Sequence, residues 1–499
     1  MHMSIHPYAE SVSFFIPAAT LQASSKTFVE LCQSPLVKHL FALRLPGEED
    51  AGYTLEKCSA LRVDSLTGTT FLKQVAEVCD TPYAMFFLRP AALSLGYGVI
   101  ARMCSAAENT QARMVYADHY VENGPQHVAH PAIDYQEGSL RDDFDFGGLW
   151  LCRTEEIRAF LNDDACRDYD YSACYALRLF MSRRGQLFHL NEYLYSERPA
   201  PNISKHEQHF LYQAASQQTA QKEYEQACTD HLRRIGAYLP EGVYEDLPED
   251  NATYPVEASV IIPVKNRVRT IGDAIRSALR QEASIPYNII VVDNHSTDGT
   301  SEAVRSICME NAKVRHLQPL RHDLGIGGCW DFAIRSAECG RFAVQLDSDD
   351  LYSGPDTLER IVSAFREEEA AMVVGAYSVV DFQLRPLPPG LIAHKEWTAA
   401  NGRNNALRIN GFGAPRAFRT QILRAIGVPN TSYGEDYALG LAFSRRFHVA
   451  RIYDELYLCR RWDGNSDAAL TPEQVNRNNA YKDKLRTMEI AARKIIRSK

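Results

Sequence analysis

Beyond residue 255 the apolar positions change period in a regular way. ASVIIPV at 258–264 is a short β-branched run, TIGDAIRSALRQ at 270–281 has helical spacing, and NIIVVD at 288–293 is again continuous. TDGTSEAVRSICMEN reads as a helix with Asp298 and Thr300 as candidate caps, VRHLQ as a strand, GGCWDFAIRSAEC as a helix and RFAVQL at 341–346 as a strand. Strands alternating with helices of this length predict βαβ units and a parallel sheet covered on both faces. The stretch from 204 to 236 is rich in Gln, Ala and Glu and predicts one or two helices. PEGVYEDLPEDNATYPVE then reads as a linker, with a boundary near 250. A Lys/Arg-rich helix closes the chain from 471.

The pattern of the second half recurs in the first. FFIPAA (14–19) resembles VIIPVK (260–265), and PYAMFFLRPAAL (82–93) resembles RFAVQLDSDDLY (341–352). DFGGLWLCRTEEIRAF (145–160) parallels GFGAPRAFRTQILRAI (411–426), with Arg153 opposite Arg419, and YALRLFMSRR (175–184) parallels YALGLAFSRR (437–446). Four matches in one order are expected of a duplicated domain. Length agrees, since 499 residues correspond to two or three domains. The predicted organisation is a first domain at 1–203, a helical and acidic connector at 204–254, a second domain at 255–470 and a terminal helix at 471–499.

Composition narrows the class. With 45% hydrophobic and 23% charged residues the chain is ordinary globular protein, and a net charge of −9 opposes broad capture of nucleic acid. Twelve cysteines scattered without a C-x-x-C pair read as buried reduced thiols, hence a cytoplasmic location. No apolar run reaches the roughly 18–20 residues of a membrane helix, and Glu10 stands where a signal peptide carries positive charge. Peripheral membrane contact through mixed basic and apolar helices is permitted.

The candidate chemistry lies in the second half. In LDSDD, Asp347, Asp349 and Asp350 follow directly on an apolar strand, at the carboxyl edge where open α/β sheets bind ligands. Acids so close repel one another unless protonated or met by a cation; Mg²⁺ or Mn²⁺ suits oxygen ligands, and a capping turn is the alternative. Asp293, ending NIIVVD, suits either a base or ribose contact or an Asx turn. The glycines of DLGIGG, Gly325 and Gly328 among them, suggest a close backbone approach to phosphate. Glu435 and Asp436 open a helix, and spacing alone does not choose between ordinary first-turn acids and a general base. Arg460 and Arg461 could neutralise a diphosphate, and Trp462 could stack on a sugar.

Taken together, ASVIIPVKNR, VVDNHSTDGT, DLGIGG through LDSDD, and GEDYALGLAFSRR resemble the family 2 glycosyltransferases of GT-A fold, across roughly 255–467. The resemblance implies an inverting, metal-dependent transfer of sugar from a nucleotide-diphospho-sugar, a UDP-sugar favoured, to a hydroxyl of a carbohydrate or glycoconjugate acceptor. It implies that Asp347 and Asp349 form the DxD pair, with Asp350 adjacent, that Asp293 reads the base, and that Asp436 is the catalytic base with Glu435 beside it. Pro263, Asn266, Arg267, Gly325, Gly328, Ser348, Arg460, Arg461 and Trp462 complete the implied donor set, with Mn²⁺ or Mg²⁺ as cofactor. A late basic-x-His motif of many relatives is replaced by Arg460-Arg461-Trp462-Asp463.

The first half resembles the same fold without its acids. Leu88-Arg89-Pro90-Ala91 stand opposite Asp347-Ser348-Asp349-Asp350, Arg44 falls near Asp293, and Ala173-Cys174 stand opposite Glu435-Asp436. The expected fold is thus α/β, two tandem GT-A domains with Rossmann-like, mostly parallel sheets, the first a non-catalytic copy. The alternative is a carbohydrate-binding or scaffolding protein with both halves inactive.

Overall fold

The computed structural model describes residues 7–48, 57–164, 166–199, 215–465 and 470–497. Its contacts divide into two units, Met1–Tyr238 together with Thr471–Lys499, and Leu239–Leu470. The first sheet comprises β1 (Val12–Pro17), β2 (Val37–Arg44), β3 (Cys58–Arg62), β4 (Tyr83–Phe87), β5 (Ala91–Leu95), β6 (Met114–Asn123), β7 (Gln126–His130), β8 (Leu149–Arg153) and β9 (Leu187–Pro199). The second comprises β10 (Ala258–Val264), β11 (Tyr287–Asp293), β12 (Val314–Leu317), β13 (Phe342–Gln345), β14 (Leu351–Tyr352), β15 (Met372–Asp381), β16 (Pro386–Ile392), β17 (Arg416–Arg419) and β18 (Val449–Arg461).

Strand order in the first sheet is β3-β2-β1-β4-β8-β6-β9-β5 with β7 beside β6; in the second it is β12-β11-β10-β13-β17-β15-β18-β14 with β16 beside β15. The same nine-strand topology therefore occurs twice. In each, the first four strands are parallel, and β8 or β17 then enters antiparallel, so the sheets are mixed. Parallel β10 and β11 are buried almost throughout, which is why they read as unbroken apolar runs.

Register makes the correspondence residue by residue. Phe342 pairs with Arg419 as Tyr83 pairs with Arg153. Each arginine pins the end of the preceding helix: Arg153 donates to the carbonyls of Ala112 and Ala107 at 3.0 and 2.9 Å, and Arg419 to those of Ala370 and Phe365 at 2.8 and 3.2 Å. Counting along the paired strands places Arg44 at the position of Asp293, and Leu88, Arg89, Pro90 and Ala91 at those of Asp347 to Asp350. Helices Ala173–Arg184 and Glu435–Arg446 match in length, so Ala173 and Cys174 stand where Glu435 and Asp436 do.

The polar middle is shared between the units. Helix Ala215–Arg234 belongs to the first, where Glu223 accepts the backbone N–H groups of Asp170, Tyr171 and Ser172. The linker from 239 belongs to the second, held by Arg403 donating to the carbonyls of Pro240 and Val243 and by the Arg446–Glu245 ion pair at 2.7 Å. The start of the expected helical stretch, 204–214, lies outside the described residues. The terminal helix Pro472–Arg497 packs into the first unit, where buried Asp483 accepts from Ser139 at 2.9 Å and pairs with Arg486 at 2.8 Å. None of the twelve cysteines is in a disulfide.

Candidate active site

The acids of LDSDD reach the cleft because β13 ends at Gln345 in the middle of the second sheet, flanked by β10 and β17. The turn that follows is fastened from below: the Asp347 N–H donates to Tyr457 Oη at 3.0 Å, and the Asp350 N–H to the Asp347 carbonyl at 3.2 Å. Opposite, Gly434 adopts φ 78°, a left-handed conformation that costs glycine little, and turns the chain into helix Glu435–Arg446 with both acids in its first turn. Between the walls lies a cavity of about 490 Å³. Of the residues expected from the sequence, Pro263, Arg267, Asp347, Ser348, Asp349, Asp350, Glu435, Asp436 and Arg461 line it.

The carboxylates differ in their fastening. Both oxygens of Asp347 accept from Gln345 Nε2 at 3.0 Å. Asp349 Oδ2 accepts from Trp462 Nε1 and Asn465 Nδ2, each at 3.3 Å, and lies 3.8 Å from Arg267 Nε. One oxygen of Asp350 is committed to the Arg460 backbone N–H at 2.8 Å, tying the turn to β18. Burial raises Asp347, opposed by Arg416 and the Gln345 hydrogen bonds; burial and the charges of Asp347 and Asp349 push Asp350 well above the carboxylate range. Among the described residues no three His, Cys, Asp or Glu side chains converge on a metal position. Asp347 and Asp349 remain as oxygen donors on one wall, and their crowding is of the kind a divalent cation relieves.

On the other wall, Asp436 Oδ1 accepts its neighbour Tyr437 N–H at 2.7 Å, while Oδ2 pairs with Arg416 Nη1 at 3.1 Å. Glu435 has a buried Oε2 with no partner among the described residues. Burial, then the Asp436 charge, raises its carboxyl to about 7. Two acids on one helix turn are thus held differently, Asp436 in an ion pair with Arg416 and Glu435 in a desolvated position that favours its neutral form.

The sequence did not single out Arg416, nor Tyr457, Gln345 or Asn465. An arginine in the short strand RAFR was a visible signal, but only antiparallel pairing of β17 with β13 brings it beside Gln345 and Asp436.

Other expected residues do not line this cavity. Asp293 is fully buried, accepting Ser296 N–H at 2.9 Å and the Ser301 hydroxyl, with His316 Nε2 at 3.3 Å. Against the raising effect of burial, these hydrogen bonds hold it below its ordinary value. Asn266 joins two loops, its Oδ1 accepting Thr297 N–H at 2.8 Å. The glycine cluster makes its close approach to protein: Gly325 N–H donates to Asn430 Oδ1 at 2.7 Å and Gly327 N–H to the Thr431 carbonyl at 2.8 Å. A Cβ on Gly327 would sit 1.9 Å from the Pro429 carbonyl oxygen, and one on Gly328 2.2 Å from Asn430 Oδ1. Arg460 lies inside β18 and is 2% exposed, so it does not line the cavity. It donates to the Asp349 carbonyl and lies 3.2 Å from Asp273 Oδ2, bracing the DxD turn. Trp462 sits behind Asp349, its indole under the Arg269 guanidinium at 5.0 Å. Asp463 is exposed in the following turn.

Comparison with known proteins places part of the second unit in a family. Residues 259–427 match the glycosyl transferase family 2 model. An uncharacterized glycosyltransferase of Rickettsia felis is 34% identical over 99 residues, 20% of this chain and 16% of that protein. The O-antigen chain rhamnosyltransferase WbaN of Salmonella anatum is 28% identical over 117 residues, 23% of this chain and 36% of that protein. The chain thus spans well under half the length of these relatives. Among solved structures, S. aureus TarS 1–349 in complex with UDP-GlcNAc has a TM-score of 0.37 at 21% identity, covering 48% of this chain and 72% of that one. The mannosyltransferase PcManGT of Pyrobaculum calidifontis, in complex with GDP-Man and Mn²⁺, has a TM-score of 0.32 at 19% identity, covering 55% and 84%. From the strand carrying Pro263 through the 347–350 turn to Arg416, residues 259–427 of the second unit form a glycosyl transferase family 2 domain.

Proposed function

We propose that the second unit moves a sugar from a nucleotide-diphospho-sugar to a hydroxyl acceptor with inversion at the anomeric carbon, in polysaccharide or glycoconjugate synthesis. The observation carrying this reading is the division of one cleft into two acidic walls, Asp347 and Asp349 on the first and Glu435 and Asp436 on the second. Inversion needs the acceptor hydroxyl and the leaving diphosphate on opposite faces of the sugar, and the two walls supply an acid to each face.

Asp347 and Asp349 are the residues that would hold Mn²⁺ or Mg²⁺; such an ion, when bound, neutralises charge on the departing diphosphate. Arg267 and Arg461, lining the same cleft, add cationic groups at that wall. Asp436 is the base: its carboxylate, oriented by Arg416 at 3.1 Å, accepts the proton of the acceptor hydroxyl. Glu435 keeps its proton below about 7, so below that pH it adds no negative charge to the second wall. UDP-sugars are the first donors to test. Donor turnover is followed with UDP- and GDP-sugars in Mn²⁺, in Mg²⁺ and in EDTA, and the anomeric configuration of the product is read by NMR. Retained configuration refutes inversion; absence of nucleotide binding under every metal condition favours the non-catalytic alternative.

A further inference from the structure

The first unit keeps an open cleft at the same place in its fold. It lies past the carboxyl end of β4 and measures about 410 Å³, against about 490 Å³ in the second unit. Its walls correspond by register: Arg89 follows β4 as Ser348 follows β13, Trp150 stands on β8 where Arg416 stands on β17, and Cys174 takes the place of Asp436. The cavity has survived while its chemistry was exchanged.

What replaced the acids is informative. The segment Asp142-Asp143-Phe144-Asp145-Phe146-Gly147 alternates carboxylates and rings along the cleft edge. Phe146 and Trp150 are half-buried and both line the cleft. Trp150 is fixed by stacking on Phe86 with centroids 4.5 Å apart, and Phe146 by an edge contact with Tyr116 at 4.9 Å. Buried Arg178 reaches under this floor, its guanidinium 5.4 Å from the Phe146 centroid and 4.5 Å from that of Tyr175, and its Nε has no partner among the described residues. Rings held rigid beside hydrogen-bonding groups match a pyranose, which offers apolar C–H faces and a rim of hydroxyls.

The same walls disfavour a nucleotide donor. Arg89, at the position of the 347–350 turn, is engaged by Asp145 and by Glu197 at 3.1 Å. Asp143 pairs with Arg141 at 2.9 Å and Asp145 also with His130 at 3.1 Å, so among the described residues the cleft edge carries no surplus of positive charge to attract a diphosphate. Leu88, Pro90 and Ala91 supply no carboxylate to hold a cation. The Cys174 thiol is raised to about 12 by burial, so it is no nucleophile.

We infer that the first-unit cleft is a non-catalytic binding site for a neutral oligosaccharide, with Phe146 and Trp150 as its aromatic contacts and the exposed Asp143 carboxylate as a hydroxyl acceptor. This goes beyond the proposed transfer reaction and stands on a different cavity.

The test uses the full chain with linear hexasaccharides of glucose, N-acetylglucosamine, mannose and galactose as probes, read by saturation-transfer NMR and tryptophan fluorescence. At least one hexasaccharide is expected to bind, to perturb tryptophan emission in wild type but not in Trp150→Phe, and to bind about tenfold more weakly in Phe146→Ala. Phe146→Leu keeps the apolar volume and removes the flat face, so it should weaken binding as well even if the alanine variant folds poorly. Saturating UDP with Mn²⁺ should leave the saccharide bound. Absence of binding by all four probes, full affinity in both Phe146 variants, or displacement by UDP would each overturn the assignment. None of these outcomes depends on turnover in the second unit.

Discussion

Replacing Glu435 by glutamine removes one carboxyl whose environment favours its neutral form, and the consequence is a pH-dependent change in stability. In the unfolded chain the group ionises at its ordinary 4.5; in the folded cleft it holds its proton to about 7. Below pH 4.5 both states are protonated and the group contributes no difference. As pH rises from 4.5 to 7 the unfolded chain releases the proton first, which favours unfolding, and above 7 the penalty is complete. A shift of this size corresponds to about 3 kcal/mol at roughly 1.4 kcal/mol per pH unit. Glutamine cannot ionise and carries no such penalty. The measurement is made on the full chain in a Trp150→Phe background, where the remaining tryptophans, Trp330, Trp397 and Trp462, all lie in the second unit. Urea transitions at pH 4.5 and pH 8 should show wild type losing about 3 kcal/mol relative to Glu435→Gln as pH rises. A stability difference that is equal at the two pH values would refute the assignment of a raised carboxyl to Glu435.

Asp436→Asn should retain donor binding, measured calorimetrically with UDP and Mn²⁺, while transfer falls by about 10²–10⁴-fold, the usual contribution of a general base; wild-type turnover would remove Asp436 from that role. Arg416→Met removes the guanidinium that holds Asp436 at 3.1 Å, so transfer should fall while UDP binding with Mn²⁺ persists, and wild-type turnover would remove Arg416 as the residue that positions the base. Chelation by EDTA, or Asp349→Ala in Mn²⁺, should abolish nucleotide binding; affinity that persists in both would exclude metal at the DxD pair. Gly327→Ala puts a Cβ 1.9 Å from the Pro429 carbonyl and should lower stability by about 1–3 kcal/mol with nucleotide affinity intact in the folded protein, whereas loss of affinity alone would return this glycine to phosphate contact.

Several elements were legible in order and type. The runs ASVIIPV and NIIVVD became β10 and β11 because a strand buried on both faces must be apolar throughout, and the helices between them appeared where the period changed. The acids at 347–350 and 435–436 were visible because each set abuts the end or start of an element. The glycines of DLGIGG misled, since a glycine records close approach without naming the neighbour; here it is the 429–431 backbone. Arg460 misled differently: β18 continues through it and turns its side chain inward to brace Asp349.

The amino-acid sequence by itself determined the α/β class, the internal repeat, the acidic clusters and their absence from the first half, because period and local composition are written along the chain. Only the tertiary structure decided which acids meet. Arg416 pairs with Asp436 across an antiparallel register, Asp350 is drawn into the sheet by β18, Asp293 is buried among its own hydrogen bonds, and the first-unit cleft stays open with rings in place of charge. Those outcomes depend on contacts between residues far apart in the chain, and the burial that sets the Glu435 carboxyl near 7 exists only once the walls have come together.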